Sequence, residues 1–338
     1  MPRTGSRTTG RPTLAEVARL ATVSPITASR ALRGVATVAP ELVEKVREAA
    51  RALGYVANPA ARTLASAQSQ SVVVLIPSLS NQLFIESLEA IHQVLRPHGL
   101  EVLIGNYHYS PEEEENLIRN YLAYQPRGIL LTGFDRTEHA RQLLAGSRVP
   151  CVHMMELDAD TATCSAGFSQ YAAGAAAARH LIERGRQRIA YIAAQLDPRA
   201  LRRGDGFRET LQQAGMYDSA LEILDVRPSS IELGATLFTD LMYRHPDVDG
   251  IFFCNDDLAH GAIFQAQRQG ISIPHQVALV GFNDLPASAH MVPRLTSIRT
   301  PREAVGHQAA MLLLDLMAER TGPTQIDLGF ELVVRESS

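Results

Sequence analysis

The amino-acid sequence predicts an α/β body of two lobes, each a doubly wound parallel sheet, behind a small all-α N-terminal domain. Three observations carry that reading. From residue 72 onward, continuous apolar runs alternate with amphipathic stretches, the pattern of parallel strands covered by helices on both faces. Between residues 13 and 53, apolar residues recur instead at helical spacing in three short segments. The charge also changes sign along the chain: residues 1–65 hold ten basic and four acidic side chains, a net +6, which leaves −10 for the rest of a chain of −4. A basic end on a larger acidic body suggests a polyanion-binding module joined to a part that binds something else.

Composition narrows the class further. With 46% hydrophobic and 20% charged residues, a chain of 338 is globular and large enough for more than one core. The N-terminus has no apolar signal segment, and no later run approaches the roughly 18 apolar residues that cross a bilayer, so a cytoplasmic protein without membrane partners is expected. Cys151, Cys164 and Cys254 are widely spaced and odd in number, which argues against a disulfide framework or a zinc cluster. Neither a cofactor nor a metal is expected.

Taken in order, residues 1–11 read as a flexible basic arm and 12–57 as a helix-turn-helix domain. Thr13 with Glu16 forms a capping box for the first helix, Ser24 followed by Pro25 opens the second, Pro40-Glu41 opens the third, and Gly54 stops it. Segment 11–34 has the layout of a DNA-reading unit, with Arg11 and Thr13 at its entry. On its second helix Ser24, Thr27 and Ser29 can bond phosphate, Arg30 and Arg33 can pair with phosphate or guanine, and Pro25 and Ile26 offer apolar contact. A small helical cap or dimerisation unit is the bland alternative; the charge excess argues against it. Residues 58–70 form a hinge helix or linker, and 71–338 the two-lobed body.

These residues resemble the LacI family of bacterial transcriptional regulators. The family's opening pattern is met by Thr13, Leu14, Val17, Ala18, Ala21, Val23, Ser24, Thr27, Ser29, Arg30 and Leu32. Glu16 stands where the family has Asp, and Thr22 where the turn normally has glycine, so a β-branched residue must hold positive φ or the turn must change shape. Tyr55, Asn58, Ala61, Arg62 and Leu64 match the hinge. The resemblance implies that this hinge enters the minor groove and that Leu64 levers open a base step. From composition alone, a plain linker with Leu64 resting on the body would be preferred.

The body shows few enzyme signatures. The first strand ends in Pro77-Ser78-Leu79-Ser80-Asn81 rather than a glycine-rich dinucleotide loop, and there is no nucleophile elbow, phosphate loop or zinc-protease helix. The eleven histidines are scattered; His153 and His260 lie near plausible cleft positions without a partner carboxylate at a telling spacing. Polar residues do cluster at strand ends: Ser78, Asn81, Asn106, Glu156, Asn255-Asp256-Asp257 and Asn283-Asp284. That edge binds ligands in doubly wound sheets, although capping of the next helix explains Asn255 to Asp257 equally well.

The resemblance extends over the body, which is similar to the family's effector-binding domain and, in fold, to periplasmic sugar-binding proteins. It implies that Phe84 is an aromatic wall, that Arg203 grips the effector, and that Asn255, Asp256 and Asn283 supply polar contacts. Arg203 suits a carboxylate better than a neutral sugar. Segment 227–230 is a weaker candidate, and Ser169-Gln170 replaces an Asp-Asn pair common in the family. Phrases such as NYLAYQPRGILLTGFDRT and AAQLDPRALRRGDGF resemble the gluconate and 2-ketogluconate branch. The expectation is a homodimeric repressor, not an enzyme, released from a palindromic operator by a sugar acid. 2-Ketogluconate is the first candidate; gluconate, another sugar or sugar acid, and a corepressing effector are the alternatives. A sugar receptor or a sugar-acid enzyme is less expected. The chain ends after its last strand without a heptad tail, so the family's tetramerising extension is not expected.

Overall fold

A computed structural model of the chain describes residues 11–35, 37–56, 69–157 and 162–338. It divides into two compact units, Met1–Ser69 and Gln70–Ser338. In the first unit α1 (Leu14–Leu20), α2 (Pro25–Leu32) and α3 (Pro40–Leu53) pack around Val17, Ala18, Ala28, Ala31, Val46 and Ala49. Alanines dominate because helices this short meet closely and leave little volume between them.

The sequence signals for these helices act as expected. Thr13 and Glu16 make both halves of the capping box, and the Ser24 side chain accepts from Thr27 N with Pro25 in the first turn. Gly54 ends α3 at φ 62. Thr22 holds the turn at φ 55 rather than reshaping it. Its hydroxyl donates to Ala21 O at 2.7 Å and accepts from Lys45 Nζ at 3.0 Å, so α3 braces the strained turn.

The second unit contains two six-stranded sheets among the described residues. In the first lobe β1 (Ser71–Ile76), β2 (Glu101–Asn106), β3 (Gly128–Thr132), β4 (Cys151–Met154), β5 (Ser165–Gly167) and β11 (Gln325–Asp327) lie in the order β11-β5-β4-β3-β1-β2. In the second, β6 (Ile189–Ala194), β7 (Glu222–Asp225), β8 (Gly250–Phe253), β9 (Ala278–Asn283), β10 (Thr296–Arg299) and β12 (Glu331–Val333) lie in the order β12-β10-β9-β8-β6-β7. Both sheets are parallel except where β12 meets β10. The central strands β1, β3, β6, β8 and β9 are buried along nearly their whole length, which is why they read as unbroken apolar runs.

Helices α4 (Ile85–Leu95), α5 (Pro111–Leu122), α6 (Glu138–Ser147) and α11 (Arg302–Met317) cover the first lobe; α7 (Gln170–Glu183), α8 (Pro198–Gln213), α9 (Ile231–Arg244) and α10 (Asp256–Gln269) cover the second. The chain therefore passes between the lobes three times, at β5 to α7, β10 to α11 and β11 to β12. Helices α7 and α8 approach at two glycines. A Cβ on Gly174 would lie 1.9 Å from Arg203 O, and one on Gly206 would lie 2.0 Å from Tyr171 O. Their absence lets α8 sit close enough to α7 for its arginines to reach the space between the lobes.

Candidate functional site

A cavity of about 370 Å³ lies between the lobes at the C-terminal ends of the strands. Six of the residues expected to meet a ligand line it: Ser78, Asn81, Phe84, Arg203, Asn255 and Asn283. They come from the loop after β1, helix α8, and the turns after β8 and β9, so each lobe contributes. Backbone strain gathers on the same rim. Positive φ occurs at His108 and Tyr109, at Met155, at Gln195 and Leu196, and at Asn283 and Asp284, all at the ends of strands or in the loops that follow them.

Arg203 is 7% exposed, and its guanidinium lies over the Phe282 ring at 4.1 Å from the centroid. Its Nη1 donates to Gln170 Oε1 at 2.6 Å, while Gln170 Nε2 donates to Met155 O at 2.9 Å, which fixes the amide's orientation. Arg203 Nε is buried without a hydrogen bond, and no carboxylate pairs with this side chain among the described residues. A buried cation beside a neutral amide, the Cys254 thiol and a ring, with no carboxylate, is short of an anion.

Arg199, one turn earlier on α8 and also 7% exposed, lines the same cavity in a different setting. Its Nε forms an ion pair with Asp197 Oδ1 at 3.0 Å, and Asp135 lies 3.7 Å from Nη1. Burial alone would loosen its proton, but Asp197, Tyr107, Asp135 and Glu156 together raise its pKa above the ordinary arginine value. Arg199, Asp197 and Gln170 were not among the expected contacts. The signal for Asp197-Pro198 was present as an N-cap followed by a first-turn proline; Gln170 stood out only as a departure from the family pattern.

Asn255 both faces the cavity and caps α10: its Oδ1 accepts from Leu258 N at 3.1 Å and its Nδ2 donates to Ser229 Oγ at 2.7 Å. Asn283 Oδ1 is buried without a hydrogen bond. Asp257 lines the cavity, and burial pushes its carboxyl up. Ser229 and Pro228 line it as well, whereas Arg227 pairs with Asp225 and Ser230 caps α9.

Three expected contacts need correction. Asn106 lies outside the cavity lining and its Oδ1 accepts from His108 N, closing the loop after β2. Glu156 also lies outside, beside Gly133 and Asp135, where burial raises its pKa. Asp256 is wholly buried beneath the floor: it accepts from Ser297 Oγ at 2.7 Å, Leu285 N at 2.6 Å and Ser288 Oγ at 2.8 Å. Burial raises its pKa to about 7. His260 joins this network through Ser288 at 2.8 Å, and burial lowers its pKa to about 4. His153 Nδ1 lies 2.9 Å from Gly133 O and its ring stacks on Phe134, so it is a packed residue.

On the N-terminal unit Arg11, Ser24, Pro25, Ile26, Arg30 and Arg33 are exposed, with Ile26 at 67%, while Thr27 and Ser29 are half-buried on the same helix. An isoleucine that open at the start of a helix makes sense as a contact surface. Thr13 is engaged in its capping box, and burial raises the pKa of the half-buried Tyr55. Asn58, Ala61, Arg62 and Leu64 lie outside the described residues. Among the described residues, no helix is long and apolar enough to cross a membrane.

A helix-turn-helix module with an open, basic second helix, joined to a two-lobed α/β body with a polar cleft, defines a ligand-responsive DNA-binding regulator. The chain belongs to the LacI family of bacterial regulatory proteins: residues 13–58 match that family and residues 178–338 match the periplasmic binding protein-like domain. It is 66% identical over 334 residues to the HTH-type transcriptional regulator GntR of Pseudomonas aeruginosa, covering 98% of this chain and 97% of the other. The crystal structure of transcription regulator GntR from Chromobacterium violaceum is 44% identical with a TM-score of 0.77, over 79% of this chain and 99% of that one. A LacI-family regulator from Silicibacter pomeroyi is 32% identical with a TM-score of 0.90, over 96% and 98%. This protein is accordingly a DNA-binding transcriptional regulator and not an enzyme.

Proposed function

We propose that the protein works in the cytoplasm as a homodimer that holds a palindromic operator and lets go of it when a small sugar acid enters the cavity. 2-Ketogluconate is the first candidate and gluconate the second. The observation that carries this reading is Arg203, a buried guanidinium without a carboxylate partner at the wall of a cavity whose other polar lining includes the amides of Asn81, Gln170 and Asn255, the hydroxyls of Ser78 and Ser229, Asp257 and the Asp197–Arg199 pair. A ligand carboxylate would complete its charge, and the surrounding polar groups suit hydroxyls.

Two modules are needed because one recognition helix makes too few base contacts for useful specificity, whereas a two-fold pair reads two half-sites. A ligand that ties the lobes together shifts their relative placement and disfavours the hinge around Leu64. Isothermal titration against 2-ketogluconate, gluconate, ribose and a purine tests the effector class, with binding of a sugar acid alone expected. Binding of ribose or the purine in preference would overturn the sugar-acid reading. Adding the bound acid to a duplex selected by the protein from random DNA gives the sign: release is expected, and tighter binding would make it a corepressor.

A further inference from the structure

Asn283 reaches the cavity from a turn whose backbone is under strain. It is 5% exposed and has φ 106, and Asp284 after it has φ 51; a residue other than glycine holds either conformation only with support. Its side-chain Oδ1 makes no hydrogen bond among the described residues, so the backbone of the turn decides where the amide stands.

Three arginines hold that backbone. Arg299 Nε, on β10, and Arg335 Nη1, after β12, pair with the two oxygens of Asp284 at 2.8 and 2.6 Å, and both belong to the second lobe. Arg302 Nη1 donates to Asn283 O from the first turn of α11, which covers the first lobe. Of the three it is the one that crosses between the lobes.

Arg302, 7% exposed, is itself fixed on the first lobe. Its Nε and Nη2 donate to Glu86 Oε2 and Oε1 of α4 at 3.1 and 2.9 Å, and its carbonyl accepts from Ser87 Oγ at 2.7 Å. One turn further on, a Cβ on Gly306 would lie 2.2 Å from Ser87 O, so α4 and α11 meet without room to slide. A planar guanidinium gripped along one edge by a carboxylate has its remaining nitrogen aimed in one direction, which a lysine does not reproduce. Arg302 and Glu86 lie outside the cavity lining, yet Phe84, two residues before Glu86, is part of it. Glu86, Arg302 and the Asn283 carbonyl thus form a strut behind the cavity, from one wall to the other.

We propose that Arg302 is a positioning residue for ligand binding: Glu86 orients its guanidinium, the guanidinium sets the Asn283 carbonyl, and the carbonyl places the Asn283 amide against the ligand. The inference rests on the sugar-acid reading of the cavity. It makes Glu86, a side chain 46% exposed on α4, a determinant of affinity for a ligand it does not touch.

The test is a double-mutant cycle read by isothermal titration of the full chain with gluconate and 2-ketogluconate. Glu86→Gln leaves the guanidinium one acceptor in place of two, and is expected to weaken acid binding by about threefold to tenfold, the range for one hydrogen bond to a neutral amide. Asn283→Gly removes the amide and keeps a residue that accepts the φ of the turn; it is expected to weaken binding at least as much. Arg203 still holds the carboxylate in both variants, so binding remains measurable. Adding Glu86→Gln to Asn283→Gly is expected to change affinity by less than about twofold, because the strut then has no amide to place. A merely structural ion pair would lower the unfolding temperature and leave the two losses additive. Additive losses overturn the role of Arg302, as does full affinity in Glu86→Gln. Arg302→Lys, once thermal unfolding shows that it folds, is expected to match Glu86→Gln, and affinity equal to the unaltered protein's overturns the proposal; should it not fold, the cycle decides. Binding of neither acid by the unaltered protein overturns the sugar-acid reading and the inference with it.

Discussion

The two walls of the cavity that carry Arg203 and Arg199 are built on one helix, one turn apart, and are equally buried, yet their electrostatics are opposite. Around Arg199 the protein has gathered Asp197, Asp135 and Glu156, so that charge belongs to the fold. Around Arg203 it offers Gln170 and the face of Phe282, which orient the guanidinium without neutralising it. Burial and residue type do not separate a structural arginine from a ligand-binding one. The presence or absence of a carboxylate partner does.

That contrast predicts different costs for removing each group. Arg203→Met should weaken sugar-acid binding by at least about a hundredfold, since a bidentate charged contact is lost. The same variant should be about 1–2 kcal/mol more stable, because an uncompensated buried cation gives way to an apolar side chain of similar length. Titration calorimetry and denaturant unfolding measure the two effects, and a variant that is both weaker-binding and less stable would erase the contrast. On the opposite wall Asp197→Ala should cost about 3 kcal/mol of stability, as α8 loses its N-cap and Arg199 its nearest partner. Unfolding midpoints that move by less than the scatter of the measurement would show that Arg199 needs no such support.

Asp256 extends the comparison to a buried anion with no cation, satisfied by two hydroxyls and a backbone N–H. Its folded pKa, about 7, lies above the unfolded carboxylate value, so its contribution to stability is full below about pH 4 and is lost as pH rises through 7. His260 works in the other direction: its folded pKa of about 4 lies below the ordinary imidazole value, so its contribution is present above about pH 6.5 and is lost as pH falls towards 4. Between pH 4 and 7 the two slopes oppose each other. Asp256→Asn removes one of them, and the variant should lose stability more steeply than the parent when acidified from pH 7 to 5, as read from thermal unfolding across that range.

Legibility in the sequence followed the range of the interactions. The N-terminal helices were readable because their signals are local: Thr13 with Glu16, Ser24 with Pro25, and Gly54 each act within one turn. Strands β1, β3, β6, β8 and β9 were readable because burial on both faces leaves no polar alternation. Strands β5, β7, β10, β11 and β12 leave little trace in the sequence because they are short, and several carry Ser, Thr or Glu that tertiary pairing accommodates. Within the site, Asp256 and Asp257 are neighbours that point to different places. Residues 256, 259, 260 and 263 share the buried stripe of α10, and that periodicity was the available clue to Asp256's structural part. The role of Arg199 could not be read, since its partners Asp135 and Glu156 reach it only through the folding of another lobe.

Coupling between the cavity and DNA is what a ligand-released regulator requires, and linkage makes that coupling measurable from the ligand side. The measurement is the affinity of the sugar acid for the free protein and for the protein saturated with its operator. If ligand entry releases DNA, the operator-bound protein must bind the acid more weakly, by the same factor as the acid weakens operator binding. Equal affinities for the free and operator-bound forms would contradict the account.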